Sequence, residues 1–213
     1  MNFDDFLTSI KNIETIQLPG ELSQLKMVPP YRRELAKRQK KNFKAAKKAG
    51  VLALFYPDKN KITKLVLILR KTYKGVHSAQ VGFPGGKLER QDSTIQDAAV
   101  RETFEEIGVP VNHMKVVKTL TQVYIPPSNF FVQPFIGITT QIPKFIMQED
   151  EVESIIEVDL NHFLDDKVVV SRQVTTSYNI NVKVPAFQLN GHTVWGATAM
   201  MLSEIKDILK QLN

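Results

Sequence analysis

The stretch 84–109 constrains this chain more than any other part of it. Pro84-Gly85-Gly86 marks a tight turn, and the residues from about Thr94 to Ile107 carry the spacing of a helix. Ile95, Ala98 and Ala99 fall on the side that faces a core, where small alanines let a helix approach a sheet closely. Glu102, Glu105 and Glu106 are three and four residues apart, which puts their carboxylates on one helical face. Held together at neutral pH they repel one another. A hard divalent cation relieves that repulsion, and oxygen donors with a retained water shell suit Mg²⁺ or Mn²⁺. Gly108 follows where the helix must end, since glycine enters the left-handed conformation freely. A solvated charged face explains an isolated Glu-x-x-Glu-Glu, but not the glycine turn, the arginine at 101 and the terminal glycine together.

The run Arg101-Glu102-Thr103-Phe104-Glu105-Glu106-Ile107-Gly108-Val109, downstream of Gly86, resembles the Nudix box. That box is a glycine followed by a glutamate and then R-E-(aliphatic)-x-E-E-x-G-(aliphatic). Thr103 stands where an aliphatic is usual, one extra residue separates Gly86 from Arg101, and the early glutamate position falls on Asp92 or Ser93. The resemblance implies a Nudix-type α/β/α sandwich, a mixed sheet flanked by helices. It also implies hydrolysis of a nucleoside diphosphate linked to another group, with Mg²⁺ or Mn²⁺ as cofactor. The expected metal ligands are Glu102, Glu105, Glu106 and the backbone carbonyl of Gly86. Arg101 lies about 100° round the helix from Glu102 and is better placed to orient a glutamate than to ligate. The base is Glu102 or a loop carboxylate, Glu151 or Glu153. Pro84-Gly85-Gly86-Lys87 lacks the G-K-(S/T) ending of a Walker loop, and no nucleophile-elbow motif supports a serine hydrolase.

Upstream, Val66-Leu67-Ile68-Leu69-Arg70 and the following residues up to Phe83-Pro84-Gly85-Gly86 are similar to the signature of the coenzyme A diphosphatase branch, L-L-T-x-R-(S/A)-x3-R-x3-G-x3-F-P-G-G. Lys71, Gly75 and Ala79 depart from it. The loss of the second arginine at Gly75 matters most, because guanidinium makes bidentate contacts with phosphate that glycine cannot. Arg70, Lys74, His77, Gln80 and Phe83 are the expected substrate-binding residues. The implied substrate is coenzyme A or its thioesters, cleaved to adenosine 3′,5′-bisphosphate and 4′-phosphopantetheine or its acyl form. ADP-ribose or a dinucleotide is the enzymatic alternative, and a non-catalytic RNA-binding module is the alternative from another class. Trp195 is a core residue or a platform for an adenine, and Ser128 and Asn129 shape a turn or meet substrate.

Composition places these motifs in an ordinary globular chain of 213 residues with 43% hydrophobic residues and no cysteine. Disulfides and thiolate metal sites are thereby excluded, and a reducing, cytoplasmic setting is expected. No apolar run approaches the roughly 20 residues that span a bilayer, and the acidic Met1-Asn2-Phe3-Asp4-Asp5 is unlike a secretory signal. The net charge of +6 is localised: residues 31–50 hold nine lysines and arginines against the single acid Glu34. Leu35 and Phe43 make that stretch read as an amphipathic helix closed by Gly50, with a solvated face, an anionic ligand and nucleic acid as its three readings. The expected organisation is a helical and basic segment over 1–50 packed on a domain over 51–213. Strands are expected at 51–56, 65–69, 116–124, 131–139, 154–158, 168–175 and 180–185, a loop at 71–93 and a last helix over 194–212. The expected partner is a small nucleotide-derived substrate, without nucleic acid or membrane, and a homodimer is left open.

Overall fold

The computed structural model describes residues 1–29, 46–71, 80–175 and 181–212. Its centre is a pair of strands, β1 (Lys47–Pro57) and β2 (Thr63–Arg70), that are apolar on both faces. Leu52, Leu54 and Tyr56 of β1 and Val66 and Ile68 of β2 are buried on one side, and Ala53, Phe55, Leu65 and Leu67 on the other. Strands of that pattern are stable only between two covering layers.

Along one edge β1 pairs antiparallel with β2 and with β4 (Gly85–Lys87), and along the other it runs parallel to β7 (Phe130–Ile138). β2 also carries β3 (Val81–Gly82) and β8 (Val152–Asp159), while β7 carries β5 (Lys115–Thr119) and β6 (Val123–Ile125). The result is an eight-stranded mixed sheet. A smaller antiparallel sheet joins β9 (Val169–Thr175), β10 (Asn181–Leu189) and β11 (His192–Val194). Helix α3 (Ile95–Ile107) covers one face of the large sheet through Ala99 and Ile107. The other face is covered by α1 (Phe3–Ser9), α4 (Leu160–Leu164) and α5 (Gly196–Gln211), through residues such as Phe6, Phe163, Ile205 and Leu209. A short helix α2 (Glu21–Gln24) lies on α5, where Ser203 donates to the carbonyl of Ser23 at 2.8 Å and Lys26 pairs with Asp207 at 2.6 Å. No helix among the described residues is long and apolar enough to cross a membrane.

Several elements differ from the sequence expectation, each for a physical reason. The basic stretch does not end at Gly50: Lys47, Lys48, Ala49 and Gly50 already belong to β1. A side chain at Gly50 would collide with the carbonyl oxygen of Ile95, so this glycine admits the first turn of α3 against the strand. Residues 31–45, which carry the rest of that stretch, lie outside the described ones. The supposed loop 71–93 contains β3 and β4, too short and glycine-rich to show a strand period. The strand expected over 116–124 is two strands, β5 and β6. Val194 ends β11, and the last helix begins only at Gly196, whose φ of +65° turns the chain.

Candidate active site

Local chemistry places α3 to the residue. Thr94 accepts from the Asp97 N–H at 3.1 Å while Asp97 accepts from the Thr94 N–H at 2.8 Å, a reciprocal capping box. The helix ends on Gly108 at φ +75°, whose N–H donates to the carbonyl of Phe104 at 2.8 Å. Thr103, the departure from an aliphatic, is fully buried and donates its hydroxyl to the Ala99 carbonyl at 2.7 Å, which leaves no polar group unpaired.

The glycine turn is pressed against this helix. Gly85 has a φ of +142°, and a Cβ there would strike the carbonyl oxygen of Gly50. Its N–H donates to Oε2 of Glu106 at 2.8 Å. At Gly86 the space of a side chain is already filled by the carboxylate of Glu102. The two glycines therefore bring backbone to carboxylate at a distance no other residue allows.

Two arginines organise the acids. Arg101 makes a bidentate pair with Asp92, Nε to Oδ1 at 2.9 Å and Nη2 to Oδ2 at 3.0 Å, and also donates to Glu105 at 2.7 Å and to the Lys87 carbonyl at 3.1 Å. Its Nη1 stands 3.2 Å from Glu102. The Arg101 hydrogen bond holds the Asp92 carboxyl below the usual range, and the same bond raises the guanidinium further still. Arg70, at the end of β2, donates from Nη1 to Oε1 of Glu106 at 2.9 Å, with Glu151 at 3.9 Å from Nη2. Glu106 is 1% exposed. Burial pushes its carboxyl up to about 7, and the charges of Glu102 and Glu151 add to the rise against Arg70 and the Gly85 N–H. Burial also raises Glu102, opposed by Arg101 and assisted by Glu105 and Glu151.

This donor set fits a hard divalent cation. It is all oxygen, its members raise one another's affinity for a positive charge, and Glu102 fills the hollow at Gly86 beside the glycine's backbone. As placed, the acids are turned to the two arginines, and no three carboxylates or histidines among the described residues form a ready metal cage.

Of the residues anticipated from sequence, Gly86, Arg101, Glu102, Glu105, Glu106, Arg70 and Glu151 come together here. Lys74 and His77 lie outside the described residues. Gln80 accepts from the Arg70 N–H through its carbonyl at 3.1 Å and borders a separate cavity of about 240 Å³ with Trp195 and His192. Phe83, expected to meet substrate, is 3% exposed and packs in the core cluster. Trp195 is half-buried at that cavity rather than core. Asn129 sits in a turn at φ +53° and accepts from the Tyr124 hydroxyl at 3.0 Å. Asp92 is the site residue that sequence left undecided. Its bidentate pair with Arg101 gives it a place, and Ser93 does not share it.

A glycine turn seated on a glutamate-bearing helix beneath a mixed sheet defines a fold class with solved members. The crystal structure of a Nudix hydrolase from M. Smegmatis, RenU, superposes with a TM-score of 0.54 at 15% identity, covering 79% of this chain and 88% of that one. The family model of the NUDIX domain matches residues 46–176, and the chain belongs to the Nudix family. The peroxisomal coenzyme A diphosphatase ndx-8 of Caenorhabditis elegans is 30% identical over 155 residues, 72% of this chain and 64% of that protein. The mitochondrial coenzyme A diphosphatase NUDT8 of Homo sapiens is 30% identical over 128 residues, 60% of this chain and 54% of that protein. The chain thus spans less than two thirds of the length of either relative.

Proposed function

We propose that the chain hydrolyses the diphosphate of coenzyme A or acyl-coenzyme A, releasing adenosine 3′,5′-bisphosphate and 4′-phosphopantetheine or its acyl form, with Mg²⁺ or Mn²⁺. The observation that carries the reading is Arg70. This signature residue of the coenzyme A branch donates to Glu106 inside the box, which supports reading the two motifs as one site. The similarity to two relatives named as coenzyme A diphosphatases supports the same substrate.

Glu102, Glu105, Glu106 and the carbonyl of Gly86 would hold the metal, which when bound neutralises the diphosphate and lowers the pKa of a bound water. Arg101 holds Glu105 and Glu102 in place while Asp92 holds Arg101, and this chain of charge-assisted bonds preorganises the acids. Water attacks one phosphorus and the bridging P–O bond breaks. The water proton passes to the carboxylate of Glu102, or to Glu151 beside Arg70. Arg70 is exposed on one side and offers its remaining guanidinium N–H groups to the anionic substrate.

A panel of coenzyme A, acyl-coenzyme A, ADP-ribose and a dinucleotide, assayed with each metal, tests the reading. Coenzyme A or its thioester is expected to turn over fastest. Faster turnover of ADP-ribose or the dinucleotide overturns the substrate and leaves the family.

A further inference from the structure

A cavity of about 350 Å³ opens at the end of the β1–β4 pair, lined by Ala46, Lys47, Lys48, Lys87 and Leu88. Strand register brings these lysines together. Lys87 lies opposite Ala49, and the Leu88 N–H donates to the carbonyl of Lys48 at 3.0 Å. Lys47 and Lys87 are therefore diagonal neighbours on one face, while Lys48 reaches the cavity from the other. Three exposed lysines around one cavity raise its positive potential, which favours an anion there. Among the described residues none of the three forms an ion pair, as is also true of isolated surface lysines such as Lys59 and Lys115, so what marks these three is that they line one cavity.

The cavity also adjoins the chemistry. Lys87 follows Gly86, about 3.8 Å of backbone away, and Gly86 is the glycine pressed on Glu102. The Lys87 carbonyl is fixed to the box by Arg101 at 3.1 Å. Successive strand residues face opposite sides, so an anion held by these lysines would lie across β4 from Glu102, a lysine side chain's reach from the Gly86 backbone. In coenzyme A the 3′-phosphate is carried on the same ribose whose 5′-oxygen bears the diphosphate, so it must fall close to the box.

We propose that Lys47, Lys48 and Lys87 receive the 3′-phosphate of the substrate's adenosine and so distinguish coenzyme A from its dephospho form. The assignment rests on the coenzyme A reading above. Ammonium groups suit it, because a terminal phosphate in an open cavity needs charge from several sides rather than one planar fork. All three side chains are exposed, so replacing them leaves the core intact.

The test measures KM and kcat of the full chain on coenzyme A and on dephospho-coenzyme A. Lys87→Ala is expected to raise KM for coenzyme A about tenfold, and the triple alanine variant further, with kcat held and dephospho-coenzyme A unaffected, the pattern of lost ground-state binding. Lys87→Arg keeps most of the discrimination. Lys59→Ala, in the turn after β1, behaves as wild type. Added salt raises KM for coenzyme A more steeply than for the dephospho form. Equal changes on both substrates, or none, overturn the assignment while coenzyme A hydrolysis stands. RNA retained at low salt by the wild type and lost in the triple variant, with substrate discrimination unchanged, overturns it in favour of a nucleic-acid surface. If wild type does not hydrolyse coenzyme A, the substrate reading falls, and this assignment with it.

Discussion

Among the described residues two glutamates are buried, and they serve opposite ends. Glu204 on α5 is 0% exposed and accepts from three neutral donors: Thr121 Oγ1 at 2.6 Å, the Thr121 N–H at 3.2 Å and Gln24 Nε2 at 3.0 Å. Those bonds tie the segment around α2 and the β5–β6 link to α5. Glu106 on α3 is 1% exposed and is held by one arginine and one backbone N–H, within the field of Glu102 and Glu151. Burial by itself therefore does not mark a site. What separates the two is the company of other carboxylates: Glu102 and Glu151 add to what burial does at Glu106 against its Arg70 partner, while Glu204 is satisfied by neutral donors within the fold.

The largest expected effect tests that difference directly. Glu106→Gln or Glu105→Gln, which keep size and remove charge, should lower kcat/KM by at least ~10²-fold. Glu204→Gln should leave activity per folded molecule within about twofold. Comparable losses at 106 and 204 would erase the distinction.

Next in size is stability. Glu204→Ala strands three donors and opens a space beneath α5, which should cost about 2–3 kcal/mol by denaturant unfolding. A cost below about 0.5 kcal/mol would mean the surroundings collapse or water replaces the carboxylate, and the fastening role fails.

The smallest effect is in the pH dependence of stability, measured with a chelator present. A buried carboxyl whose pKa is raised favours the fold in its protonated form. For Glu106 that stabilisation is complete below about 4.5 and is lost as pH rises through about 7. Glu106→Gln cannot ionise, so its stability relative to wild type should increase from pH 5 to pH 8, on the order of 1–2 kcal/mol after local relaxation. A gap that stays flat or closes would show that Glu106 ionises in the fold as freely as at the surface.

How much of this could be read from sequence depended on whether the information was local. Helix α3 is legible from Thr94 to Gly108 because its period, its cap and its left-handed terminus all lie within the segment. The central strands are legible because apolar residues on both faces leave little choice but the middle of a sheet. Asp92 was not, since its partner Arg101 is reached only after an irregular turn. Lys47 and Lys48 were not, because a basic run that continues into a strand has the composition of a solvated helix until its pairing with Gly85–Lys87 and Phe130–Ile138 is known.

By itself the sequence determined the Nudix class, the helix that carries the acids and the turn glycines that allow them to meet backbone, since each follows from spacing along a few residues. Only the tertiary structure decided that Arg70, 36 residues upstream, closes on Glu106. It alone separated Phe83 into the core from Gln80 at a cavity, and gave two buried glutamates different neighbours. The physical reason is one of range. Helix periods, caps and positive φ are settled by interactions over three or four residues, whereas burial and the charge surrounding a carboxylate depend on strands brought together by the closing of the sheet.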